Sequence, residues 1–275
     1  MRNNVSVYPF NLEFDETAGA ARFPFIFKGS PAAGLSCALS ARRAGNMGFL
    51  PCPGVPSHSS PKREAFFRSQ DIDPERVYSL FQVHSRTVYS VGDPSSGERG
   101  LPSPAAFARQ GDGMVSFCRN VFLALTVADC LPVFLLDTEN LFFAALHSGW
   151  RGTGIVLKAL SVMAQAGTKP EMVAAVLGPC IQGCCYRVDE QRARDFEKEF
   201  GESAGPLGNI VLRKDDGPYI SLQAANARLL AGAGVKHIAV CENCTYTDKR
   251  LGSFRREGPE RYTRMAAVAG PLGQR

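Results

Sequence analysis

The sequence lacks a long hydrophobic run. Its longest apolar stretch, residues 121–136, is interrupted by Asp129 and Pro132, and a membrane-spanning helix needs roughly 20 apolar residues. Residues 1–14 mix polar and apolar side chains and show neither the basic region nor the continuous apolar core of a secretory signal. We therefore expect a cytoplasmic protein that makes no membrane contact.

A strong excess of one charge is also missing. The formal net charge is +5, and no block of lysine and arginine carries it. A basic face for nucleic acid would need such clustering, so we expect no nucleic-acid partner. A mild positive excess is instead compatible with a site for small anions such as phosphate.

The cysteines are better explained as thiols than as a disulfide scaffold. There are nine of them, an odd number, and no secretory signal accompanies them. Hydrophobic residues make up 45% of the chain and charged residues 21%, which is typical of a globular protein with a sizeable core. We therefore expect reduced thiols, some of which act as metal ligands or nucleophiles.

The apolar pattern predicts strands and helices mixed along the chain. Residues 28–63 and 93–104 are rich in Gly, Pro and Ser and predict loops, with a short strand near 35–40. The absence of a linker or repeat favours one α/β domain (mixed α+β) over 1–275, although a division near residue 110 is an alternative. Strands are predicted at 77–91, as a strand or hairpin, and at 121–128, 131–136, 141–146, 172–177, 236–241 and 264–268; helices are predicted at 153–166 (capped by Thr153), 190–200 and 222–231.

Only four histidines are present, so each can be weighed. His58 lies in a Pro/Ser loop and His237 precedes a strand, and both suit surface or structural roles. His84 is predicted within a strand, whereas Cys130 and His147 lie at the ends of strands that we expect to be neighbours. Since sites in α/β sheets gather at strand ends, we expect these three side chains to converge.

Two imidazoles and one thiolate suit Zn²⁺, with a fourth position left for water or substrate. Taken alone, a histidine at such a position is more often a hydrogen-bonded structural residue, and a buried cysteine is more often a small apolar side chain. Spacing gives little support, because His84, Cys130 and His147 form no local metal-binding motif.

Several motifs around these residues resemble the bacterial multicopper polyphenol oxidoreductase (laccase-like) family, whose members are zinc-dependent purine nucleoside enzymes. The resemblance is strongest over residues 80–190. It rests on the segments 82–84 (QVH), 111–115 (GDGMV), 126–133 (TVADCLPV), 147–152 (HSGWRG) and 178–186 (GPCIQGCCY).

This resemblance implies that His84, Cys130 and His147 are the metal ligands, with zinc bound and copper as an alternative. It implies a sandwich of mixed β-sheets flanked by helices, akin to some bacterial toxin deamidases. The implied activity is phosphorolysis of adenosine, inosine, guanosine and methylthioadenosine, together with adenosine deamination. The partners would be purine nucleosides and phosphate, and the protein would be a monomer or homodimer.

Some segments depart from the family pattern, and they affect substrate preference most. Residues 40–47 only loosely match the family's N-terminal loop, and the match would make Arg42 the substrate-facing catalytic arginine, with Arg43 as its competitor. Arg187 reverses the charge of a family glutamate. The C-terminal arginine element corresponds to 253–256 and 263–265.

Three further residues have proposed roles and simpler alternatives. Arg42 and Arg151 are candidates for binding phosphate through their guanidinium groups. The alternative for Arg151 is a structural role beside Trp150. Asp129 is a candidate proton shuttle, or an acceptor that orients His84 or His147. The alternative for Asp129 is a turn cap without chemistry.

The remaining cysteines form a second group. Cys180, Cys184 and Cys185, with the C-x-x-C pair Cys241 and Cys244, would form a second metal site or a disulfide; reduced, partly buried thiols are the simpler interpretation.

Three other functions compete with the nucleoside enzyme. A copper-dependent polyphenol oxidase ligates several copper ions mainly through imidazoles, and four histidines are too few for such a cluster. A cysteine hydrolase or deamidase would use Cys130 as nucleophile and His147 as base. A non-catalytic nucleoside-binding protein would bind purines without turnover.

Overall fold

The computed structural model describes residues 5–48, 61–92, 100–101, 109–201 and 203–272. Cys52, His58 and most of the predicted loop 93–104 lie outside these ranges. The strands are β1 (Ser6–Phe10), β2 (Phe14–Asp15), β3 (Ala20–Phe27), β4 (Ser30–Ser40), β5 (Val77–Tyr78), β6 (Val88–Val91), β7 (Gly100–Leu101), β8 (Gly113–Ser116), β9 (Phe122–Val127), β10 (Leu131–Asp137), β11 (Phe143–Ser148), β12 (Val173–Leu177), β13 (Val211–Lys214), β14 (Gly217–Ile220), β15 (His237–Cys241) and β16 (Met265–Gly270). The helices are α1 (Pro61–Ser69), α2 (Ile155–Gln165), α3 (Glu190–Phe200), α4 (Leu222–Gly232) and α5 (Phe254–Glu257).

The strands form two large mixed sheets and one hairpin. The larger sheet has eight strands in the order β1-β15-β12-β10-β11-β8-β6-β7, and the smaller has six in the order β2-β3-β4-β16-β9-β5. Strands β13 and β14 pair separately. Parallel and antiparallel pairs occur in both large sheets.

Side chains alternate between the two faces of each strand, and this alternation builds the layers. On β10, Val133 and Leu135 belong to the core that packs against α2, α3 and α4. Phe134 and Leu136, one residue further along, belong to the core between the two sheets. The outer face of the six-stranded sheet packs against α1 through Phe66 and Phe67. The predicted sandwich of mixed sheets flanked by helices is therefore confirmed.

Local sequence accounts for the helix that carries one wall of the site. The Asp189 side chain accepts a hydrogen bond from the Arg192 amide (2.8 Å) and so caps the first turn of α3. Ala193, Phe196 and Phe200 place a buried apolar stripe on one face. The helix ends before Gly201, whose φ of 88° is accessible to glycine at low cost.

The start of α2 differs from the prediction. Thr153 does not cap it, because its hydroxyl donates to the Gly149 carbonyl (2.9 Å). Gly154, in the left-handed region with a φ of 101°, stands at the N-cap instead. Thr153 therefore closes the turn between β11 and α2.

The first third of the chain holds more regular structure than its loop-like composition indicates. Strand β4 begins at Ser30 and not near residue 35, and α1 starts at Pro61 within the predicted loop. The strand predicted at 121–128 corresponds to β9, which pairs with β16 in the six-stranded sheet, whereas the next strand, β10, belongs to the eight-stranded sheet. Apolar runs identify buried strands but not the sheet to which they belong.

Both large sheets take strands from either side of residue 110. Strands β1 and β6 lie beside later strands in the eight-stranded sheet, and β3 and β4 share the six-stranded sheet with β16. A division near residue 110 would cut both sheets, so a single domain is the organisation that we propose. No helix in the described ranges has the length and apolar character to cross a bilayer.

Candidate metal and substrate site

Three side chains from different parts of the chain meet where strands β10 and β11 of the eight-stranded sheet begin and end, respectively. Cys130 immediately precedes β10, and His147 lies on the adjacent strand β11, opposite Pro132. His84 approaches from the segment between β5 and β6. One ligand atom from each lies within 4.8 Å of the others, and the two imidazole rings are 5.0 Å apart between centroids.

His84 lies on a loop and not within a strand, which corrects the prediction. Its φ is 60°, and the amides of Val83, His84 and Ser85 donate to the Asp112 carboxylate at 3.2, 3.0 and 2.6 Å. A backbone wrapped around a carboxylate in this way has no amides left for a strand ladder. Gln82 fixes the start of the loop through its side-chain oxygen Oε1, which accepts a hydrogen bond from the Thr126 amide (2.7 Å) on β9.

The same carboxylate orients His147. Asp112 is completely buried, and its Oδ1 lies 2.8 Å from His147 Nδ1. This contact leaves Nε2 of His147 as the ring nitrogen available to a ligand or to Cys130. A carboxylate behind a histidine fixes the tautomer and increases the basicity of the imidazole.

The trio is electrostatically coupled. Burial opposes ionisation of Cys130, but the charge and hydrogen bond of His147, with a hydrogen bond from His84, lower the pKa of Cys130 to about 6. Burial likewise works against protonation of His147, but the Cys130 thiolate and Asp112 raise the pKa of His147 to about 9. The metal-free site therefore holds a thiolate near neutral pH, the form in which cysteine binds metals or attacks substrates.

Gly149 keeps the space beside the trio open. A Cβ atom at this position would lie 2.9 Å from Cys130 Sγ and 3.3 Å from His84 Cδ2. The donor set also fits a borderline metal ion, since two imidazoles and a thiolate converge with a carboxylate behind one of them. These side chains could therefore hold one ion with a coordination position left over.

We expect Gly149→Ala to weaken metal binding by about 10- to 100-fold, because the added methyl group displaces Cys130 and His84. Zinc affinity, measured by competition with a chelator, checks this. Gly232→Ala is the matched control, since a Cβ atom there meets nothing within 4 Å. Equal zinc affinity in the two variants would contradict the placement of Gly149.

The trio lines a cavity of about 450 Å³. Four aromatic side chains line its walls, namely Trp150, Tyr186, Phe254 and Tyr262. Three arginines stack on these rings, with Arg192 4.6 Å from Trp150, Arg255 5.5 Å from Tyr186 and Arg264 4.4 Å from Tyr262. Within the described ranges, no carboxylate pairs with the guanidinium of Arg255 or Arg264, so both are available to an anion.

Asp129 lines this cavity but does not orient either histidine, which corrects one of its two predicted roles. Its Oδ1 accepts from the Thr245 hydroxyl and its Oδ2 from the Arg255 amide, both at 2.6 Å. The carboxylate thus holds the first turn of α5, which carries Arg255, against the strand end. Asp112 takes the predicted orienting role for His147.

The other predicted arginines lie elsewhere. Arg42 and Arg43 line a separate basic cavity, where Arg42 Nε is 3.1 Å from a Glu257 oxygen. Arg151 is exposed, and its guanidinium lies 5.0 Å from the Trp150 ring. Neither Arg42 nor Arg151 is among the described residues that line the main cavity, so the predicted substrate contacts of these two have no support from their placement.

Functional assignment from the sequence missed several residues of the site, although some of them lay in quoted motifs. Asp112 lies in the Gly-Asp-Gly segment and Arg255 in the C-terminal arginine element. Arg192 and Tyr262 had no distinguishing pattern, because an arginine on an amphipathic helix is usually solvent-facing. Their assignment required the tertiary structure.

The remaining histidine and thiols lie apart from this trio. His237 Nδ1 is 3.0 Å from the Tyr8 hydroxyl, which agrees with a structural role. The eight cysteines within the described ranges are free thiols. Cys184, Cys185 and Cys244 form a second group whose sulfur atoms lie within 4.8 Å of one another.

The chain is similar to proteins of a known family. The family described as Multi-copper polyphenol oxidoreductase laccase matches residues 51–271. A purine nucleoside phosphorylase of Corynebacterium glutamicum is 32% identical over 189 residues, covering 68% of this chain and 72% of the relative. One of Deinococcus radiodurans is 36% identical over 163 residues, 58% of this chain and 61% of the relative.

Solved structures of similar proteins share the fold along most of the chain. YlmD from Geobacillus stearothermophilus superposes with a TM-score of 0.77 at 26% identity, covering 96% of this chain and all of that one (100%). The Bacillus licheniformis hypothetical protein YfiH superposes with a TM-score of 0.70 at 25% identity, covering 86% and 92% of the two chains.

Proposed function

The chain belongs to the multi-copper polyphenol oxidoreductase laccase family, and we propose that it is a metal-dependent purine nucleoside phosphorylase. The observation that carries the proposal is the convergence of His84, Cys130 and His147 in a cavity walled by aromatic rings and arginines. The names of the relatives in Corynebacterium and Deinococcus agree with it.

The side chains that line the cavity suit each part of the substrate. A purine is a flat aromatic ring, and the rings of Tyr186, Phe254 and Tyr262 offer surfaces for stacking. Phosphate is bound well by guanidinium groups, and Arg255 and Arg264 are available for it. The ribose would lie between them, so that phosphate attacks its anomeric carbon as the bond to the purine breaks. The products are the free base and ribose 1-phosphate.

The trio would hold the metal ion, and zinc is the ion that we propose, with copper as the alternative. A zinc ion bound there would act as a Lewis acid toward a substrate oxygen or a water molecule. Asp112 keeps His147 oriented and Gln82 keeps the His84 loop in place. Asp129 holds Arg255 at the cavity wall, and we propose it as a proton shuttle because a carboxylate can accept more hydrogen bonds than the two from Thr245 and Arg255.

We extend the proposal to adenosine deamination at the same site, with water in place of phosphate. Water would add to the carbon that carries the exocyclic amine, and ammonia would leave to give inosine. For the phosphorolysis we propose adenosine, inosine, guanosine and methylthioadenosine as substrates.

We expect zinc-loaded protein to release free base from purine nucleosides only when phosphate is present, and inosine from adenosine without it. Chromatography of the products with and without phosphate checks both activities.

Arg255→Ala should lower kcat/KM for phosphate by about 100-fold, the scale of one lost transition-state contact. Arg151→Ala is the matched control and should change it little. Tight purine binding without turnover would contradict the proposal and favour a binding protein.

A cysteine hydrolase or deamidase is the second candidate, and one observation favours it. Asp112, His147 and Cys130 follow one another in contact, the order of an orienting acid, a base and a nucleophile. In metal-free protein, alkylation of Cys130 should reach half its maximal rate near pH 6, because the thiolate reacts and is present above that pH.

Zinc should suppress this alkylation if Cys130 is a ligand, and Cys130→Ser measures the background from other thiols. Alkylation that is unaffected by zinc but blocked by substrate would support the nucleophile instead. A copper-dependent polyphenol oxidase has less support, because within the described ranges only two imidazoles, those of His84 and His147, enter a candidate metal group.

A further inference from the structure

Two loops beside the main cavity bring a second set of thiols together. Cys184 and Cys185 lie in the turn that follows β12, and Cys244 lies in the turn that follows β15. Their sulfur atoms lie within 4.8 Å of one another, and those of Cys184 and Cys185 are 3.3 Å apart. We call these three residues the thiol cluster.

The two loops are held together by hydrogen bonds from the backbone and from Gln182. Cys180 and Cys244 form an isolated bridge, in which the Thr245 amide donates to the Cys180 carbonyl (3.0 Å). The Gln182 side chain donates to the Glu242 carbonyl (2.7 Å), and the Gln182 amide lies 3.4 Å from Cys244 Sγ. The thiol cluster is therefore preorganised by its backbone.

The cluster is open on one side and closed on the other. Cys184 is exposed, Cys185 is partly buried and Cys244 is buried. An ion from solution can thus reach Cys184 first and be held at Cys244. Within the described ranges, none of the three lines the main cavity, so the cluster is separate from the trio of His84, Cys130 and His147.

We propose that the thiol cluster is a second metal site, which binds a soft monovalent cation, Cu(I), through three sulfur atoms. Soft thiolate ligands select Cu(I) and zinc. Structural zinc is almost always four-coordinate, whereas this group offers three donors, all sulfur, within the described ranges. Metal–sulfur bonds of roughly 2.3 Å place sulfur atoms on one ion about 4 Å apart. All three sulfur atoms lie within 4.8 Å of one another, and those of Cys184 and Cys185, at 3.3 Å, would move slightly apart on binding. Binding releases the thiol protons and needs no oxidant or reductant.

The test is an anaerobic titration of the reduced, metal-free, full-length protein with Cu(I) against a coloured Cu(I) chelator. We expect Cys184→Ser and Cys244→Ser each to bind Cu(I) at least about tenfold more weakly than the unsubstituted protein. Cys184 is exposed, so its variant remains folded even if Cys244→Ser does not. Cys118→Ser, another partly buried thiol outside the cluster, is the matched control and should change nothing.

Two further measurements distinguish the thiol cluster from the trio of His84, Cys130 and His147. Cys130→Ser should retain this Cu(I), and X-ray absorption at the copper edge of that variant, loaded with one equivalent of Cu(I), should show only sulfur ligands. Unchanged Cu(I) affinity in Cys184→Ser, loss of the ion in Cys130→Ser, or a nitrogen ligand in the spectrum would each overturn the proposal. None of these outcomes depends on nucleoside turnover, so the second site can fail while the proposed phosphorylase activity stands.

Discussion

Replacing His147 with alanine should remove bound zinc from the protein and leave it folded. His147 supplies one of three donors, and two remaining ligands on an open site hold zinc poorly. The fold should survive, because β11 keeps its pairing with β8 and β10. We expect a loss of about 1 to 3 kcal/mol in the free energy of unfolding, since Asp112 loses a hydrogen-bond partner while buried.

Metal analysis after dialysis, together with thermal unfolding, measures both effects. His237→Ala is the matched control, because His237 lies on β15 against Tyr8 and outside the trio. That variant should keep its zinc. Normal zinc content in His147→Ala would remove His147 from the ligand set.

Replacing Asp112 should affect both stability and metal binding. This buried carboxylate accepts from three consecutive loop amides, from the Ser85 hydroxyl and from His147. Asp112→Ala leaves these donors unpaired, and we expect a loss of about 3 to 5 kcal/mol in the free energy of unfolding. Asp112→Asn keeps the shape and part of the acceptor capacity, so its loss should be smaller.

The Asp112 effect should depend on pH with a definite sign. Burial alone would raise the pKa of Asp112, but hydrogen bonds from His147 and Ser85 lower it below its ordinary value. Its contribution is therefore complete above the unfolded carboxyl pKa of about 3.9 and is lost as pH falls through the lower folded pKa. The difference between the unsubstituted protein and Asp112→Asn should thus shrink in acid.

Asp137→Asn is the matched control for Asp112. Asp137 is also completely buried and accepts several hydrogen bonds, from Thr168 and Asn140 among others, but it lies at the far end of β10. Its variant should lose stability and keep zinc affinity, whereas Asp112→Asn should lower zinc affinity by about 10- to 100-fold. Equal zinc affinity in the two variants would show that Asp112 supports only the fold.

The buried strands and long helices could be predicted from sequence because each has a strong periodic pattern. Strand β10 is apolar on both faces, and α3 combines a cap at Asp189, an apolar stripe and a terminal glycine. The sheet to which each strand belongs was harder to predict from the sequence, as β9 shows. Its apolar run is equally compatible with either sheet, and only its pairing with β16 decides between them.

The candidate site was predictable only in part. The convergence of His84, Cys130 and His147 was predicted from the strand ends next to Cys130 and His147 and from the family motifs. The His84 loop was predicted as a strand, because its left-handed φ depends on a carboxylate 28 residues away. The cavity arginines come from α3, α5 and the segment before β16, and nothing in their local sequence indicates that these segments meet.

The most direct measurement is the release of adenine from adenosine and phosphate as zinc is added back to metal-free protein. We expect no adenine without metal, a rate that rises to its maximum at one equivalent of zinc, and no rise in Cys130→Ala. Adenine release at the full rate by metal-free protein would contradict a zinc-dependent phosphorylase, as would the absence of any released base from the zinc-loaded enzyme.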